Sequence, residues 1–464
     1  MNNVGYTPEE PIAAIATALV PSAIGIVRVS GKNCIELASR IFSRPKALSE
    51  AQGNSLVYGW MIDPLKSKES NRIDEVMVGV YRAPKSFTGE DMVEVFCHGG
   101  VSVVTSIYSL FLANGFRPAE RGEYTFRAYI NGKTDLTKAE AVKEIIDSKT
   151  DVSRGRAAGR LSGNLFELID SIKKRIVDVL GNIEVEIEYP EDEENIADCF
   201  DTAPLMDVKE SLERLGASWK SEKLYQDGAR VVLCGKTNAG KSSLFNTLLK
   251  EERAIVSNIE GTTRDWIESY ADFGGIPVRL FDTAGLRKTD DVIEARGVEL
   301  TRDLSEDADV ILYLVDANNG IQKEDIDYIS EQKNVPCVLV MNKCECNGSV
   351  VIPTEGPWRN AVKISAKNGI GIDELVSSVK EIVLGDASQD KEHAGLGSER
   401  QKNSVQEALE RVSHALEIAS TGDYGLDAVV QDLEDALDSL GEVTGDVTPD
   451  DVLGNIFSRF CVGK

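Results

Sequence analysis

The chain has 464 residues, so we expect two to four domains, each large enough to bury its own core. Its formal net charge of −26 argues against a broad nucleic-acid binder, which needs clustered Lys and Arg facing phosphates. Apolar runs are far shorter than the roughly 20 residues of a membrane span, residues 1–30 lack a signal-peptide pattern, and eight scattered cysteines are typical of reduced thiols. We therefore predict a cytoplasmic protein that contacts no membrane and touches RNA only locally.

The first third of the chain changes from mixed to purely helical patterns. Between residues 12 and 116, short β-type runs (23–29, 75–81 and 92–96) alternate with helical stretches such as 101–114, which predicts an α+β module. Between residues 136 and 187, apolar positions recur every three or four residues, which predicts long amphipathic helices. An acidic linker (189–201) and one further helix (204–224) follow.

Helical periodicity resumes at residues 404–440, after a globular segment and a loop (385–399) rich in Gly, Ser and charge. We interpret this as one helical domain interrupted by an inserted domain, since compact domains accept insertions at surface loops. Two separate helical domains remain an alternative. The predicted fold is thus multidomain, with an α+β domain (1–130), a discontinuous all-α domain (131–222 and 386–464) and an inserted α/β domain (223–385).

A phosphate-binding loop opens the inserted domain. Residues 230–234 form a short apolar strand that leads into residues 235–242 (GKTNAGKS) and then a helical pattern. This is a complete G-x-x-x-x-G-K-S motif between a strand and a helix. Its glycines let backbone N–H groups surround phosphates, Lys241 reaches the outer phosphates, and Ser242 ligates Mg²⁺.

Companion motifs follow the phosphate loop. Residues 282–285 (DTAG) end a second strand, residues 261–265 (GTTRD) precede it with Thr263 as a second Mg²⁺ ligand, and residues 342–345 (NKCE) and 365–367 (SAK) come after two further strands. This order resembles that of the Ras-like GTPases, in which the last two segments read the base, so the predicted substrate is GTP. The predicted nucleotide contacts are Asn238, Ala239, Gly240, Lys241, Ser242, Ser243, Ser257, Asn258, Ile259, Glu260, Gly261, Thr262, Thr263, Asp282, Thr283, Ala284, Gly285, Asn342, Lys343, Cys344, Glu345, Ser365, Ala366 and Lys367.

Two positions depart from the Ras-like pattern. Glu345 stands where that pattern has an aspartate that reads the guanine edge, so its longer side chain places the carboxylate differently. Leu286 stands where many GTPases have the glutamine that positions water. Asn238 and the loop at residues 257–262 resemble the GTPases that bind K⁺ beside the phosphates, which implies Asn238, Ser257, Ile259 and Thr262 as its ligands. The alternative for Asn238 is an amide that only stabilises the loop.

Four segments outside the inserted domain add to these motifs: residues 25–31 (GIVRVSG), 88–100 (TGEDMVEVFCHGG), 117–142 (RPAERGEYTFRAYINGKTDLTKAEAV) and 460–464 (FCVGK). With them, the chain resembles the tRNA-modification GTPases of the MnmE (TrmE) family along essentially its whole length. The resemblance implies an N-terminal domain that dimerises and binds 5-formyltetrahydrofolate or a related tetrahydrofolate. It places Arg28, Glu94, Lys133 and Lys464 at that folate site, although an ordinary surface ion pair would explain any one of them alone.

The same resemblance implies a homodimer that acts on tRNA with the flavoprotein MnmG (GidA) in a heterotetramer, forming an aminomethyl or carboxymethylaminomethyl group on the wobble uridine. It assigns Glu294 to hydrolysis through water, against the alternative of a solvated helix charge, and it makes Cys461 a candidate catalytic thiol. A buried cysteine that packs the tail would explain Cys461 equally well. The competing function is a regulatory GTPase of ribosome assembly, which predicts a basic RNA-binding module that these acidic flanks do not provide.

Overall fold

The computed structural model describes residues 10–188, 201–250, 254–255, 267–282, 307–332, 334–346, 355–385, 395–421 and 426–463. The chain divides into two compact units. The first contains Met1–Lys143 and Asp438–Lys464, and the second contains Glu144–Leu437. No helix in the described ranges is long and apolar enough to cross a membrane.

Strands are concentrated in two stretches of the chain and helices occur throughout. The strands are β1 (Ile12–Ile15), β2 (Ile24–Ser30), β3 (Ser55–Ile62), β4 (Arg72–Tyr81), β5 (Met92–His98), β6 (Arg117–Pro118), β7 (Ala229–Gly235), β8 (Ala254–Ile255), β9 (Ile267–Phe273), β10 (Ile276–Asp282), β11 (Val310–Asp316), β12 (Cys337–Asn342) and β13 (Asn360–Lys363). The helices are α1 (Cys34–Arg40), α2 (Pro45–Ser49), α3 (Val101–Ala113), α4 (Glu123–Ile130), α5 (Leu136–Asp147), α6 (Asp151–Ser162), α7 (Asn164–Glu188), α8 (Ala203–Asp227), α9 (Lys241–Leu248), α10 (Lys323–Glu331), α11 (Ile372–Leu384), α12 (Glu399–Thr421), α13 (Leu426–Thr444) and α14 (Asp450–Ser458).

A six-stranded sheet forms the centre of the first unit. Its strand order is β3-β4-β5-β2-β1-β6, and every neighbouring pair is antiparallel except β1 and β6. Alternate residues of a strand point to opposite faces, so Val27 and Val29 enter the core while Arg28 points to the other face. The core packs these valines with Ile107 and Phe111 of α3.

The last helix of the chain returns to the first unit. Phe457 of α14 lies in an apolar cluster with Leu136 and Ala139 of α5, and its ring contacts Phe126 edge-on at 5.2 Å between centroids. Such aromatic pairs add ~1 kcal/mol beyond the area they bury. This packing keeps the C-terminal residues beside the N-terminal sheet.

The helices of the second unit bury one stripe each. In α7 the fully buried residues Ile169, Ile172 and Ile176 are three and four positions apart, which is the spacing of one helix face. Helix α8 packs against both α7 and α12, and it is therefore covered by a helix that precedes the inserted domain and one that follows it. The apolar periodicity predicted both α7 and α8. Helix α7 corresponds to the last part of the predicted helical region 136–187, and the predicted helix at residues 204–224 corresponds to α8.

The chain leaving the inserted domain is held against these helices. Leu396 is fully buried, and the carbonyl oxygens of Gly395 and Gly397 accept hydrogen bonds from Arg160 (3.3 Å) and Gln226 (2.9 Å). Arg160 itself is 2% exposed and pairs with Glu222 at 2.9 Å. The described end of the predicted loop at residues 385–399 is therefore packed and hydrogen-bonded.

The inserted domain contains a seven-stranded sheet in the order β13-β12-β11-β7-β10-β9-β8. Strands β7, β10, β11, β12 and β13 are parallel, and β9 pairs antiparallel with β10 and β8. Parallel strands covered on both faces are apolar along their length, which explains the continuous run at residues 310–315. The predicted fold class is confirmed, with an α+β N-terminal domain, a discontinuous helical domain and an inserted α/β domain.

Candidate nucleotide-binding site

Four parallel strands of the second sheet end at one edge, and each ends at a polar or conformationally special residue. β7 ends at Gly235, β10 at Asp282, β11 at Asp316 and β12 at Asn342. Strand β7 lies between β10 and β11, so the winding of the chain reverses there. In open α/β sheets, ligands bind at the carboxyl ends of the strands beside such a reversal.

The backbone of the phosphate loop adopts left-handed conformations that glycine permits. Gly240, at the N-terminus of α9, has φ of 99°, and a Cβ atom there would lie 2.2 Å from Nδ2 of Asn342. A side chain at this position is thus excluded by both conformation and space. Asn238 has φ of 64°, which costs free energy in a non-glycine residue and is tolerated most readily by asparagine and aspartate.

Lys241 and Ser242 begin α9 and face the strand ends. The Lys241 ammonium group donates to the carbonyl oxygens of Gly235 at 2.7 Å and Lys236 at 3.0 Å, and the residue is 9% exposed. The Ser242 hydroxyl donates to Asp282 Oδ2 at 3.0 Å. The structure thus brings Asp282 to the phosphate loop beside Lys241 and Ser242, although Ser242 and Asp282 are 40 residues apart in sequence.

Asn342 connects the phosphate loop to the second base-reading segment. It is 2% exposed, its Nδ2 donates to the Ala239 carbonyl at 2.8 Å, and its Oδ1 accepts from the Ala366 amide at 3.0 Å. The Ala366 carbonyl in turn accepts from Thr247 of α9 at 2.7 Å. The Asn342 side chain therefore fixes the relative positions of two loops, both predicted to contact nucleotide.

Charged groups surround the base-reading segment. Lys343, with φ of 68°, places its ammonium group 2.7 Å from Asp316 Oδ2. A hydrogen bond from the Ser365 side chain, assisted by the Lys367 and Lys343 charges, lowers the pKa of Glu345, which is exposed. Glu345 therefore stays ionised at neutral pH and can act only as a hydrogen-bond acceptor.

The structure describes only some of the other residues predicted to contact nucleotide. Ser243 and Lys367 are exposed, and the Cys344 thiol donates to the Met341 carbonyl at 3.1 Å. Several predicted residues lie outside the described part of the chain: Ser257, Asn258, Ile259, Glu260, Gly261, Thr262, Thr263, Thr283, Ala284, Gly285, Glu294 and Lys464.

A second polar cluster lies in the first unit, around Arg28 and Glu94. These residues face each other directly on β2 and β5, and Arg28 Nε lies 3.1 Å from Glu94 Oε1. Arg28 also donates to the Gly463 carbonyl at 3.0 Å, so the C-terminal tail reaches this cluster. The Arg28 and Glu94 side chains are 17% and 15% exposed.

Aromatic rings line the same cluster. The Arg28 guanidinium lies 5.3 Å from the centre of the Tyr124 ring and 5.6 Å from that of Phe87. The Tyr81 hydroxyl donates to Glu94 Oε2 at 3.3 Å. Lys133 is exposed and its stem packs over Gly89, within the predicted segment 88–100. An arginine, a carboxylate and aromatic faces together can bind a flat heterocycle with an anionic tail.

The structure corrects one alternative for the tail. Cys461 is exposed, so a buried thiol that packs the tail is wrong. Instead, the tail is held by its backbone, because the Cys461 carbonyl accepts from the Gly122 amide at 3.4 Å and Val462 forms an isolated bridge with Arg121.

Sequence reasoning missed Asp316, the partner of Lys343. Its signal was present, since a carboxylate ends an apolar strand at the same edge as Asp282. It also missed Tyr124 and Tyr81, because aromatic residues in an α+β module predict core packing and nothing local marks them as neighbours of Arg28.

The chain is similar to two family models and to part of a solved structure. A family model described as the MnmE helical domain matches residues 136–461, and one described as the GTP-binding protein TrmE N-terminus matches residues 11–133. Among solved structures, a point variant of Aquifex aeolicus Era bound to GDP·AlF4⁻ is 25% identical, with a TM-score of 0.27. That match covers 39% of this chain and 66% of the Era chain.

Curated relatives match over the full length. The tRNA modification GTPase MnmE of Treponema denticola is 52% identical, and the match covers 99% of this chain and 99% of the relative. The protein of the same name from Carboxydothermus hydrogenoformans is 41% identical over 98% of this chain and 100% of its own length. The chain therefore belongs to the MnmE family of tRNA modification GTPases.

Proposed function

We propose that this protein is a potassium-dependent GTPase that forms, with the flavoprotein MnmG, the 5-carboxymethylaminomethyl or aminomethyl group of the tRNA wobble uridine. The observation that carries the proposal is the edge of the second sheet, where Lys241, the Ser242–Asp282 pair and Asn342 converge. GTP hydrolysis also agrees with the names of the relatives that match the full chain. An ammonium group held on two carbonyls beside a helix N-terminus is suited to the phosphates of a nucleotide.

The residues at this edge fit a magnesium ion. Ser242 and Asp282 offer a hydroxyl and a carboxylate oxygen, which are the hard ligands that Mg²⁺ prefers, and they already lie 3.0 Å apart. When bound, Mg²⁺ neutralises charge that develops between the outer phosphates. Asn238 is exposed in the same loop, which supports the proposed K⁺ site, with Ser257, Ile259 and Thr262 as the other proposed ligands.

Guanine selection would fall to Glu345 and not to Asn342. Both polar atoms of the Asn342 side chain bind backbone groups, so this residue shapes the site. Glu345 is exposed, ionised and held by Ser365, and its carboxylate can accept from two donors on a guanine edge. Adenine offers no such pair of donors on that edge, which supports GTP as the substrate.

The cluster around Arg28 supports a folate site. Arg28 can bind a carboxylate of the folate tail, Glu94 can accept from the pterin, and the Phe87 ring, 42% exposed, offers a face for stacking. Lys133 and Lys464 would add positive charge. When bound, the folate supplies the one-carbon unit. We further propose that two chains pair through their N-terminal domains, that GTP and K⁺ draw the two GTPase domains together, and that the protein acts in the cytoplasm.

Reconstitution tests the proposed function as a whole. Purified protein is incubated with MnmG, unmodified tRNA, GTP, KCl and a tetrahydrofolate donor, and the tRNA is digested for mass spectrometry of its nucleosides. We expect a modified wobble uridine that disappears when GTP is omitted. GTP turnover without any modified uridine would leave a GTPase of another role, such as ribosome assembly, and would reject the modification function.

A further inference from the structure

Lys236 lies within the phosphate loop, and its backbone carbonyl belongs to the site described above, but its side chain has other partners. Its ammonium group lies 3.2 Å from Glu324 Oε2 and 3.2 Å from Asp325 Oδ1. Both acids belong to the first turn of α10. The Glu324 side chain is 76% exposed, so its ion pair with Lys236 contributes little stabilising free energy. The Asp325 side chain is 2% exposed, so Asp325 is the partner that matters.

Asp325 is a fixed carboxylate, because other donors hold it from two directions. Its Oδ1 accepts from the Tyr313 hydroxyl at 2.9 Å, and its Oδ2 accepts from the Gln322 amide at 2.8 Å in the capping box of α10. Burial and the bond to Asp325 raise the pKa of Tyr313, so its hydroxyl remains a donor. Tyr313 lies on β11 directly opposite Cys234 of β7, the strand that leads into the phosphate loop.

Lys236 thus binds two partners with two parts of the same residue. Its side chain contacts Asp325, while its backbone carbonyl accepts a hydrogen bond from the Lys241 ammonium group at 3.0 Å. The preceding residue, Gly235, has φ of 129°, which leaves the start of the loop without regular strand geometry. At the other end of the loop, Asn342 holds the Ala239 carbonyl at 2.8 Å. The loop is therefore held on both sides of Asn238.

We propose that Lys236 is a positioning residue for nucleotide binding, tethered to Asp325 so that its carbonyl holds Lys241 in place for the phosphates. The proposal rests on the nucleotide site of the proposed function and adds a residue that acts through Lys241. Loss of the tether would let the loop carbonyl move, and nucleotide would be held less firmly.

A simple charge effect predicts a different result, which makes the proposal testable. If Lys236 acted only as a positive charge near the phosphates, Lys236→Met would weaken binding, whereas Asp325→Asn, which removes a nearby negative charge, would strengthen it. If Lys236 acts as a tether, both changes weaken nucleotide binding. The double variant should then bind nucleotide no more weakly than the single variant that binds it more weakly. Asp325→Asn keeps the shape of the side chain and the Oδ1 acceptor for the Tyr313 hydroxyl.

The experiment is stopped-flow release of a fluorescent GDP analogue from the full-length protein, with thermal unfolding in parallel. We expect Lys236→Met and Asp325→Asn each to speed release about fivefold, as for loss of one charge-assisted contact, and Lys236→Arg to restore the wild-type rate. Lys323→Met, which removes an exposed lysine from the same helix turn, is the matched control and should release GDP at the wild-type rate.

Slower release from Asp325→Asn, or strictly additive effects in the double variant, would overturn the proposal. A lowered unfolding temperature with an unchanged release rate would also overturn it, since it would show a purely structural pair. If Asp325→Asn does not fold, Tyr313→Phe is used in its place, because it removes a hydrogen bond that holds the same carboxylate. Release kinetics do not depend on tRNA, so failure of tRNA modification would reject the proposed function and leave this test intact.

Discussion

The phosphate loop and the Arg28 cluster are held in different ways. Lys241 and Asn342 donate to backbone carbonyls of the loop, so side chains define the path of the chain there. In the cluster, Arg28 and Glu94 hold each other from two strands whose path the sheet already fixes, and Arg28 holds a backbone carbonyl only of the C-terminal tail, at Gly463. A change in the loop should therefore alter geometry, whereas a change in the cluster should alter mainly its chemistry.

The largest effect is expected for Lys241→Ala. This change removes the cation that we propose reaches the outer phosphates, and loss of one such group typically lowers turnover roughly 10²-fold or more. Steady-state GTP hydrolysis measures it, and circular dichroism should show an unchanged fold. Lys250→Ala, at an exposed lysine just after α9, should hydrolyse GTP at the wild-type rate. Equal activity of the two variants would contradict the assignment of Lys241.

Asn342→Ala tests whether a side chain in this region sets backbone geometry. The change leaves the Ala239 carbonyl and the Ala366 amide without their buried partner, at a cost of about 1–3 kcal/mol for each group. We expect GTP affinity to fall more than tenfold and the unfolding temperature to fall as well. A fluorescent-nucleotide titration with thermal unfolding measures both, and lower affinity with unchanged stability would show that Asn342 contacts only the ligand.

Arg28→Met tests the chemistry of the other region. The sheet should remain intact, but Glu94, which is 15% exposed, loses its ion-pair partner. We expect binding of 5-formyltetrahydrofolate to fall about tenfold, as for loss of a charge-assisted pair, while GTP turnover stays unchanged. Isothermal titration measures folate binding, and Arg44→Met serves as a control at an exposed arginine of the same unit. Unchanged folate binding would make Arg28 a structural residue only.

The smallest effect concerns Asp316. Burial acts to raise its pKa, but hydrogen bonds from Lys343 and Asn318 outweigh burial and lower it. A lowered carboxyl pKa stabilises the folded state above the unfolded pKa, and this contribution disappears as pH falls through the folded value. Asp316→Asn should therefore lower stability by less than about 1 kcal/mol near neutrality, and this difference should shrink as the pH falls below the unfolded carboxyl pKa of about 3.9. Unfolding temperatures across that range measure the difference, and a gap that persists in acid would contradict this origin.

The sequence predicted the strand, loop and helix at the candidate nucleotide site because these elements follow from local backbone patterns. A strand followed by residues 235–242 specifies both the loop and the helix that follows, whatever the rest of the chain does. The β-type runs predicted at residues 23–29, 75–81 and 92–96 also correspond to strands, which the structure places at 24–30, 72–81 and 92–98. By contrast, β9 was missed, because its sequence IESYADF carries too much polarity for the pattern of a buried strand.

The Arg28 cluster could not be derived from local pattern. Arg28 and Glu94 are 66 residues apart, and only the strand register brings them face to face. The Gly463 carbonyl lies 435 residues from Arg28, and α14 must pack on α5 before the tail reaches it. These contacts depend on tertiary packing, so resemblance to a family predicted the residues while spacing alone did not.

The most direct test of the central claim is turnover of GTP and of ATP by the purified full-length protein, each in potassium chloride and in sodium chloride at equal ionic strength. The account predicts hydrolysis that is selective for GTP, despite Glu345, and faster in potassium, through the loop that contains Asn238. Equal rates with ATP would contradict the guanine site, and GTP hydrolysis indifferent to the cation would contradict activation by potassium.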